Sequence, residues 1–217
     1  MRTFAISDIH GNNDTFRKAL KFIKLKKTDK LILLGDCIDR GYDSKGVLDT
    51  IILLKEHGFN IVCLKGNHEQ MFLDSFEENT KLNNWMLNGG KETLLSFLTA
   101  SIEKIPSQYV NLIKSFKYYY EFKNFIFVHA AINMLIEKPF DDTRSMLWSR
   151  EQDNLINLNW LKGRVVVHGH NPTPRKDIIK SLLGQIICID NGSFIKKRNY
   201  GSICVLELEN LNINFID

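Results

Sequence analysis

No stretch of this 217-residue chain is apolar for long enough to cross a membrane, so a membrane-spanning protein is not expected. A basic tail is missing too. Lysines and arginines are scattered and the formal net charge is only +4, so nucleic acid is not an expected partner. Met1 runs directly into an expected strand with no basic flank and long apolar segment, so no secretory signal is expected. Cysteines are few, and Cys37, Cys63, Cys188 and Cys204 lie far apart. That spacing excludes a zinc ribbon or a disulfide framework and reads as buried, reduced thiols, from which a cytoplasmic location is expected. No internal repeat, low-complexity tract or linker interrupts the chain, so a single domain over residues 1–217 is expected. What remains, 44% hydrophobic and 25% charged, is the composition of a globular protein with a substantial core.

The most informative stretch is residues 31–41, LILLGDCIDRG. Four consecutive apolar residues suit a strand buried on both faces, and Gly35-Asp36 then places a carboxylate where that strand leaves its sheet. A carboxylate there is costly without a partner, which points to a cation or a catalytic group, with a plain turn residue as the alternative. The same event occurs twice more. Residues 2–7 read as a strand ending in Asp8-Ile9-His10-Gly11, and residues 60–64 as a strand ending in Lys65-Gly66-Asn67-His68-Glu69. Helical spacing over 14–26 and 44–57 separates the three. This alternation predicts a parallel sheet whose polar clusters gather along one rim.

Residues 69–76 continue as helix, and the pattern stays helical to about residue 115, with breaks at Asn88-Gly89-Gly90 and Pro106. A helical insertion over about 77–115 is expected, packing over the sheet or shaping a substrate groove. Beyond it, residues 125–128, 164–167, 185–189, 202–208 and 212–215 read as strands with little helix between them, which predicts a second sheet. Three of these strands again lead into polar clusters, at His129, at His168-Gly169-His170 and at Asp190-Asn191-Gly192.

Asp8, His10, Asp36, Asn67, His129 and His170 together offer carboxylate, imidazole and amide donors without thiolate. Such a set suits Mn, Fe or Zn and excludes a Cu(I) or iron–sulfur site. Six donors exceed one tetrahedral ion. They suit two ions about 3.5–4 Å apart, with Asp36 as the shared carboxylate.

The runs Asp8-Ile9-His10-Gly11, Gly35-Asp36-Cys37-Ile38-Asp39-Arg40-Gly41, Gly66-Asn67-His68-Glu69, His129-Ala130 and Gly169-His170 jointly resemble the calcineurin-like metallophosphoesterases. More narrowly, they resemble the phosphoprotein phosphatases of bacterial and phage type. The resemblance implies an α/β fold, a four-layer αββα sandwich of two mixed sheets with a helical insertion. It implies hydrolysis of phosphomonoesters by direct attack of a hydroxide bridging two divalent or trivalent metal ions, Mn2+ first, with Fe or Zn as alternatives. Asp8, His10 and Asp36 would hold the first ion, and Asp36, Asn67, His129 and His170 the second. His68 would be the general acid, oriented by Asp39, since a carboxylate partner raises an imidazole's pKa toward the value an acid needs near neutral pH. Arg40, Arg150 and Asn67 would hold the phosphate.

The implied substrate is phosphoserine or phosphothreonine in a protein or peptide, extending to phosphotyrosine, because residues 85–95, WMLNGGKETLL, resemble a segment of bacterial members assigned to protein dephosphorylation. The symmetrical bis(5'-nucleosyl)-tetraphosphatase branch shares the whole metal site and stands as the alternative. A non-catalytic phosphate-binding regulatory protein is a third reading. Other polar residues have plainer expectations. His57 beside Gly58 suits a helix C-terminus, His168 a structural role behind the ligands, and Asp190 a turn. Tyr118, Tyr119 and Tyr120 suit strand and core, and Cys37 suits packing instead of nucleophilic attack.

Overall fold

Period-two alternation along the apolar strands decides the layers. In the computed structural model, which describes residues 1–217 apart from the side chain of Asp153, β1 (Thr3–Ile6), β2 (Lys30–Leu33) and β3 (Asn60–Cys63) pair in parallel. Phe4, Ile6, Leu31 and Leu33 face outward against Phe16 and Ala19 of α1 (Asn13–Phe22), Val47, Leu48 and Ile51 of α2 (Ser44–Glu56) and Phe72 of α3 (Asn67–Asp74). The insertion extends this layer with α4 (Asn79–Trp85), a π-helical turn at Met86–Gly90, α5 (Lys91–Ser96) and α6 (Ser107–Lys114), which add Trp85, Leu94, Tyr109 and Ile113.

Ala5, Ile32 and Leu34 point the other way, into a core shared with Phe127, Val167 and Ile187 of the second sheet. That sheet runs β4 (Tyr119–Phe122), β5 (Phe125–Val128), β6 (Val165–His168), β7 (Ile186–Cys188), with β4 antiparallel and the rest parallel. Its outer face carries Ile126, Val128 and Val166 against Met146 of α7 (Thr143–Trp148) and Leu161 of α8 (Leu158–Leu161). Helix α9 (Arg175–Ser181) leads into β7. Helices, sheet, sheet and helices make the four layers of an αββα sandwich, which explains why the strands read as continuous apolar runs.

Two expectations are corrected. Strands β8 (Ile203–Glu207) and β9 (Asn212–Ile216) belong to the first sheet, not the second, in the order β3-β2-β1-β8-β9. Strand β8 pairs antiparallel with β1, Ala5 opposite Leu206, so the hairpin covers an edge that would otherwise lie open. Helices α7, α8 and α9 also lie where little helix is expected. They are six, four and seven residues long, too short to show a helical period. The four cysteines are free, and Cys37, Cys63 and Cys204 are buried. Among the described residues no helix is long and apolar enough to cross a membrane.

Candidate active site

The strands of both sheets deliver their polar clusters to one rim. Asp8 and His10 follow β1, Asp36, Asp39 and Arg40 follow β2, Asn67 and His68 open α3 after β3, and His129 and His170 follow β5 and β6. Backbone bonds lock the loops together: His10 N–H donates to Asp36 O at 2.8 Å, and Gly169 N–H to His129 O at 2.8 Å. Asp8, His10, Asp36, Asp39, Arg40 and His170 all take left-handed backbone, with φ between 46° and 71°. Each such residue costs about 1–3 kcal/mol, held in place by the surrounding structure, and the concentration of strain here marks the rim as a functional region. Close approach also needs Gly66, where a Cβ would lie 2.1 Å from Asp36 Oδ1.

Two triads of potential ligand atoms share Asp36. His10, Asp36 and His68 form one, and Asp36, His129 and His170 the other, each with its donor atoms within 4.8 Å of one another and all buried. The second shows what it would hold. His129 donates Nδ1–H to Leu34 O at 2.9 Å, which leaves a lone pair on Nε2. That lone pair faces Asn67 Oδ1 at 3.0 Å, His170 Nδ1 at 3.1 Å and Asp36 Oδ1 at 3.5 Å. His170 Nε2 is buried and finds no hydrogen-bond partner among the described residues. Lone pairs of Asn67, Asp36, His129 and His170 Nδ1 converging without a hydrogen between them are the signature of a place for a cation.

Protonation supports the same conclusion. Burial lowers His10 and His129, and burial beside His129 lowers His170 to about 3, so all three imidazoles are neutral and able to ligate at pH 7. Burial opposes the charge on Asp36, but His129, His68, His10 and His170 outweigh it and hold its carboxyl well below the usual range. The donors fit hard or borderline divalent ions.

His68 differs from the other imidazoles. Its Nδ1 lies 2.8 Å from Asp39 Oδ2 and its Nε2 is 3.9 Å from Asp36 Oδ2. Burial works against its charge, but the charge of Asp36 and the hydrogen bond to Asp39 outweigh it and raise His68 above the ordinary value. A cleft of about 670 Å³ opens onto Asp36, lined also by Asn67, His170, Arg40 and Arg150 and walled by Met86, Leu87 and Lys91 of the insertion. The insertion therefore both packs in the outer helical layer and lines the cleft. Arg40 Nη1 lies 3.2 Å from His10 Nε2, and its guanidinium stacks on Phe194 at 4.2 Å. Arg150 donates to Asn171 Oδ1 at 3.2 Å.

Asp8 is not brought into either triad. Its carboxylate accepts the Ser7 hydroxyl and the backbone N–H of His170 at 3.1–3.2 Å, and burial together with the charges of Asp190 and Asp36 raises its pKa well above normal. Asp190 accepts Gly192 N–H at 2.6 Å, as a turn residue does, yet its burial, with the charge of Asp36, raises its pKa to about 7. His57 caps α2, its Nδ1 2.7 Å from Leu53 O, and His168 is buried in β6 with its Nδ1 3.1 Å from Gly169 O.

Two site residues escape sequence reasoning. Phe194, beside the Asp190 turn, also meets the His10 ring edge to face at 4.9 Å. Glu69 is fully buried and accepts backbone N–H groups from Asp36, Cys37 and Gly66 at 2.7–2.8 Å, clamping the β2 loop to the start of α3. Its position three residues into a helix that opens on Gly66 is a capping-box spacing, a signal that could have found it. Glu69→Gln would aim amide hydrogens at backbone donors. It is expected to cost about 3 kcal/mol, read as a lower urea midpoint with an unchanged slope.

A family model described as calcineurin-like phosphoesterase matches residues 1–202. Serine/threonine-protein phosphatase 1 of Salmonella typhimurium is 39% identical over 88 residues, 40% of this chain and 38% of that protein. Serine/threonine-protein phosphatase 2 of the same organism is 30% identical over 88% of this chain and 87% of its own length. A symmetrical bis(5'-nucleosyl)-tetraphosphatase of Buchnera aphidicola is 31% identical over 40% of this chain and 37% of its own. The first of these matches spans well under half of its relative, and the second spans most of its. Among solved structures, a protein serine/threonine phosphatase of Saccharomyces cerevisiae shares the fold with a TM-score of 0.68 at 13% identity, over 100% of this chain and 80% of that one.

Proposed function

Because this chain belongs to the calcineurin-like phosphoesterases, we propose that it is a metal-dependent phosphatase that hydrolyses phosphoserine and phosphothreonine, and phosphotyrosine as well, in proteins or peptides. The observation that carries the reading is Asp36 shared by two buried ligand triads, with the His68–Asp39 pair next to it and two arginines lining the cleft onto which Asp36 opens. The relative matched over most of both chains, a serine/threonine-protein phosphatase, supports the substrate class.

In this proposal His10, Asp36, Asn67, His129 and His170 hold two divalent ions, Mn2+ first and Fe or Zn as alternatives. Asp8 joins them because a cation offsets the repulsion among Asp8, Asp36 and Asp190. Such ions, when bound, supply Lewis acidity and an activated water. Arg40 and Arg150 orient the phosphate oxygens and offset their charge, and Asn67 lines the same cleft. His68, its pKa raised against burial by the Asp36 charge and the Asp39 hydrogen bond and its ring fixed by Asp39, gives its proton to the departing alkoxide. Asp39 cannot swing away, since its carboxylate has no exposure.

A covalent intermediate on Cys37 has no place in this scheme. Its thiol is fully buried, and burial with the neighbouring Glu69 charge pushes its pKa far up. Cys37→Ala is expected to leave turnover within about threefold while costing about 1 kcal/mol of stability, and loss of turnover without loss of fold would count against the scheme.

The tetraphosphatase alternative has one observation in its favour: a 670 Å³ cleft carrying Lys91 beyond the two arginines exceeds what a single phosphoserine fills. Comparing kcat/KM for a phosphoserine peptide and for diadenosine tetraphosphate separates the two. A preference for the peptide upholds the proposal, and a strong preference for the dinucleotide replaces it.

A further inference from the structure

The insertion does more than wall the cleft, because two of its side chains hydrogen-bond the Asp39 carboxylate that meets His68. Trp85, at the end of α4 and without exposure, donates Nε1–H to Asp39 Oδ2 at 2.9 Å, with Oδ1 at 3.1 Å. Thr93, in α5 and 1% exposed, donates its hydroxyl to Asp39 Oδ1 at 2.6 Å. The same Thr93 oxygen accepts the Asp39 backbone N–H at 3.1 Å, and that N–H also reaches Ser44 Oγ at 2.9 Å. Thr93 and Ser44 oxygens are 2.9 Å apart.

Asp39 sits in left-handed backbone, at φ 71°, where a non-glycine residue stays only if its surroundings hold it. Thr93 engages it at both ends, backbone and carboxylate. A buried carboxylate needs its lone pairs satisfied: Thr93 takes Oδ1, Trp85 bridges both oxygens, and Oδ2 also meets His68 Nδ1 at 2.8 Å, so the carboxylate has one orientation. Between the two clamping residues the chain makes the π-helical turn at Met86–Gly90. Gly89, at φ 110°, accepts the Arg40 backbone N–H at 3.2 Å through its carbonyl. One short segment thus supports the acid's partner and the neighbouring phosphate-binding arginine together.

We propose that Thr93, assisted by Trp85, is a positioning residue: it fixes the Asp39 carboxylate so that Asp39 in turn fixes His68 facing the leaving group. The inference rests on the reading of His68 as general acid. A merely structural threonine would, when replaced, lower every activity alike. A positioning threonine matters in proportion to how much the leaving group needs a proton, little for p-nitrophenolate and much for an alkoxide.

The test compares Thr93→Val, Thr93→Ser, Trp85→Phe and His68→Asn as metal-loaded enzymes on a phosphoserine peptide and on p-nitrophenyl phosphate. Metal content and the thermal midpoint are read alongside. Thr93→Val and Trp85→Phe are expected to lower kcat for the peptide by about 10-fold to 100-fold and for p-nitrophenyl phosphate by less than about threefold, a margin set well below that range. Thr93→Ser, which keeps the hydroxyl, is expected to restore the peptide rate. Equal losses on both substrates, or no loss from either clamping variant, overturn the proposal. If His68→Asn discriminates between the substrates while Thr93→Val and Trp85→Phe do not, the positioning role alone is wrong. Should His68→Asn fail to discriminate, the acid assignment falls and the proposal falls with it.

Discussion

His68→Asn is expected to lower turnover of alkyl phosphate monoesters by about 100-fold to 10,000-fold, the range typical of a lost general acid, while leaving the metal content as it was. The asparagine amide can still reach Asp39, where His68 Nδ1 now lies at 2.8 Å, so the loop keeps its anchor. What disappears is the proton at Nε2, on the side of the ring that faces Asp36 at 3.9 Å. Because Asp36 and Asp39 raise the His68 pKa, the wild-type rate limited by this proton falls only as pH rises through that raised value, and His68→Asn removes the fall. Metal analysis beside the rate measurement is essential, since His68 also lies in a triad with His10 and Asp36. Loss of one equivalent of metal on substitution would make His68 a ligand and displace it as the acid.

Asp36→Asn is expected to have the other large effect, through the ions themselves. Asp36 belongs to both triads, with Oδ2 3.5 Å from His10 Nε2 and Oδ1 3.5 Å from His129 Nε2. The amide is nearly isosteric and can still accept the His68 backbone N–H that Asp36 Oδ1 takes at 3.1 Å, so the fold should persist. The negative charge that two cations would share is gone. Affinity for metal is expected to fall by more than about 100-fold, beyond the effect of removing a residue that merely supports a ligand, with turnover falling accordingly. Retention of two tightly held ions in Asp36→Asn would contradict the shared-carboxylate assignment.

Much of this was legible from a repeated local event, an apolar strand that runs into a polar cluster. Residues 31–41 made Asp36, Asp39 and Arg40 visible because charge at the end of a strand buried on both faces is costly without a partner, and the clusters after the other strands outweighed a plain turn. The structure places those three residues at one rim with Asn67, His68, His129 and His170. What was not legible depends on contacts remote in sequence. The orientation of Asp8 is set by the backbone N–H of His170, 162 residues away. Phe194 matters only because Arg40 and His10 fold onto it. Thr93 stands in an ordinary amphipathic run, and nothing local says that its hydroxyl meets Asp39. Placement of β8 beside β1 follows from which edge is open, a property of the assembled sheet and not of the strand's residues.

In the proposed function, two ions sharing Asp36 hydrolyse phosphorylated protein. This is tested most directly by stripping the protein of metal and titrating it with Mn2+ while following phosphate release from a phosphoserine peptide. No turnover is expected without metal, and the rate is expected to saturate at two equivalents per chain, in step with the metal bound. Turnover by the stripped protein, or saturation at a single equivalent, would contradict it.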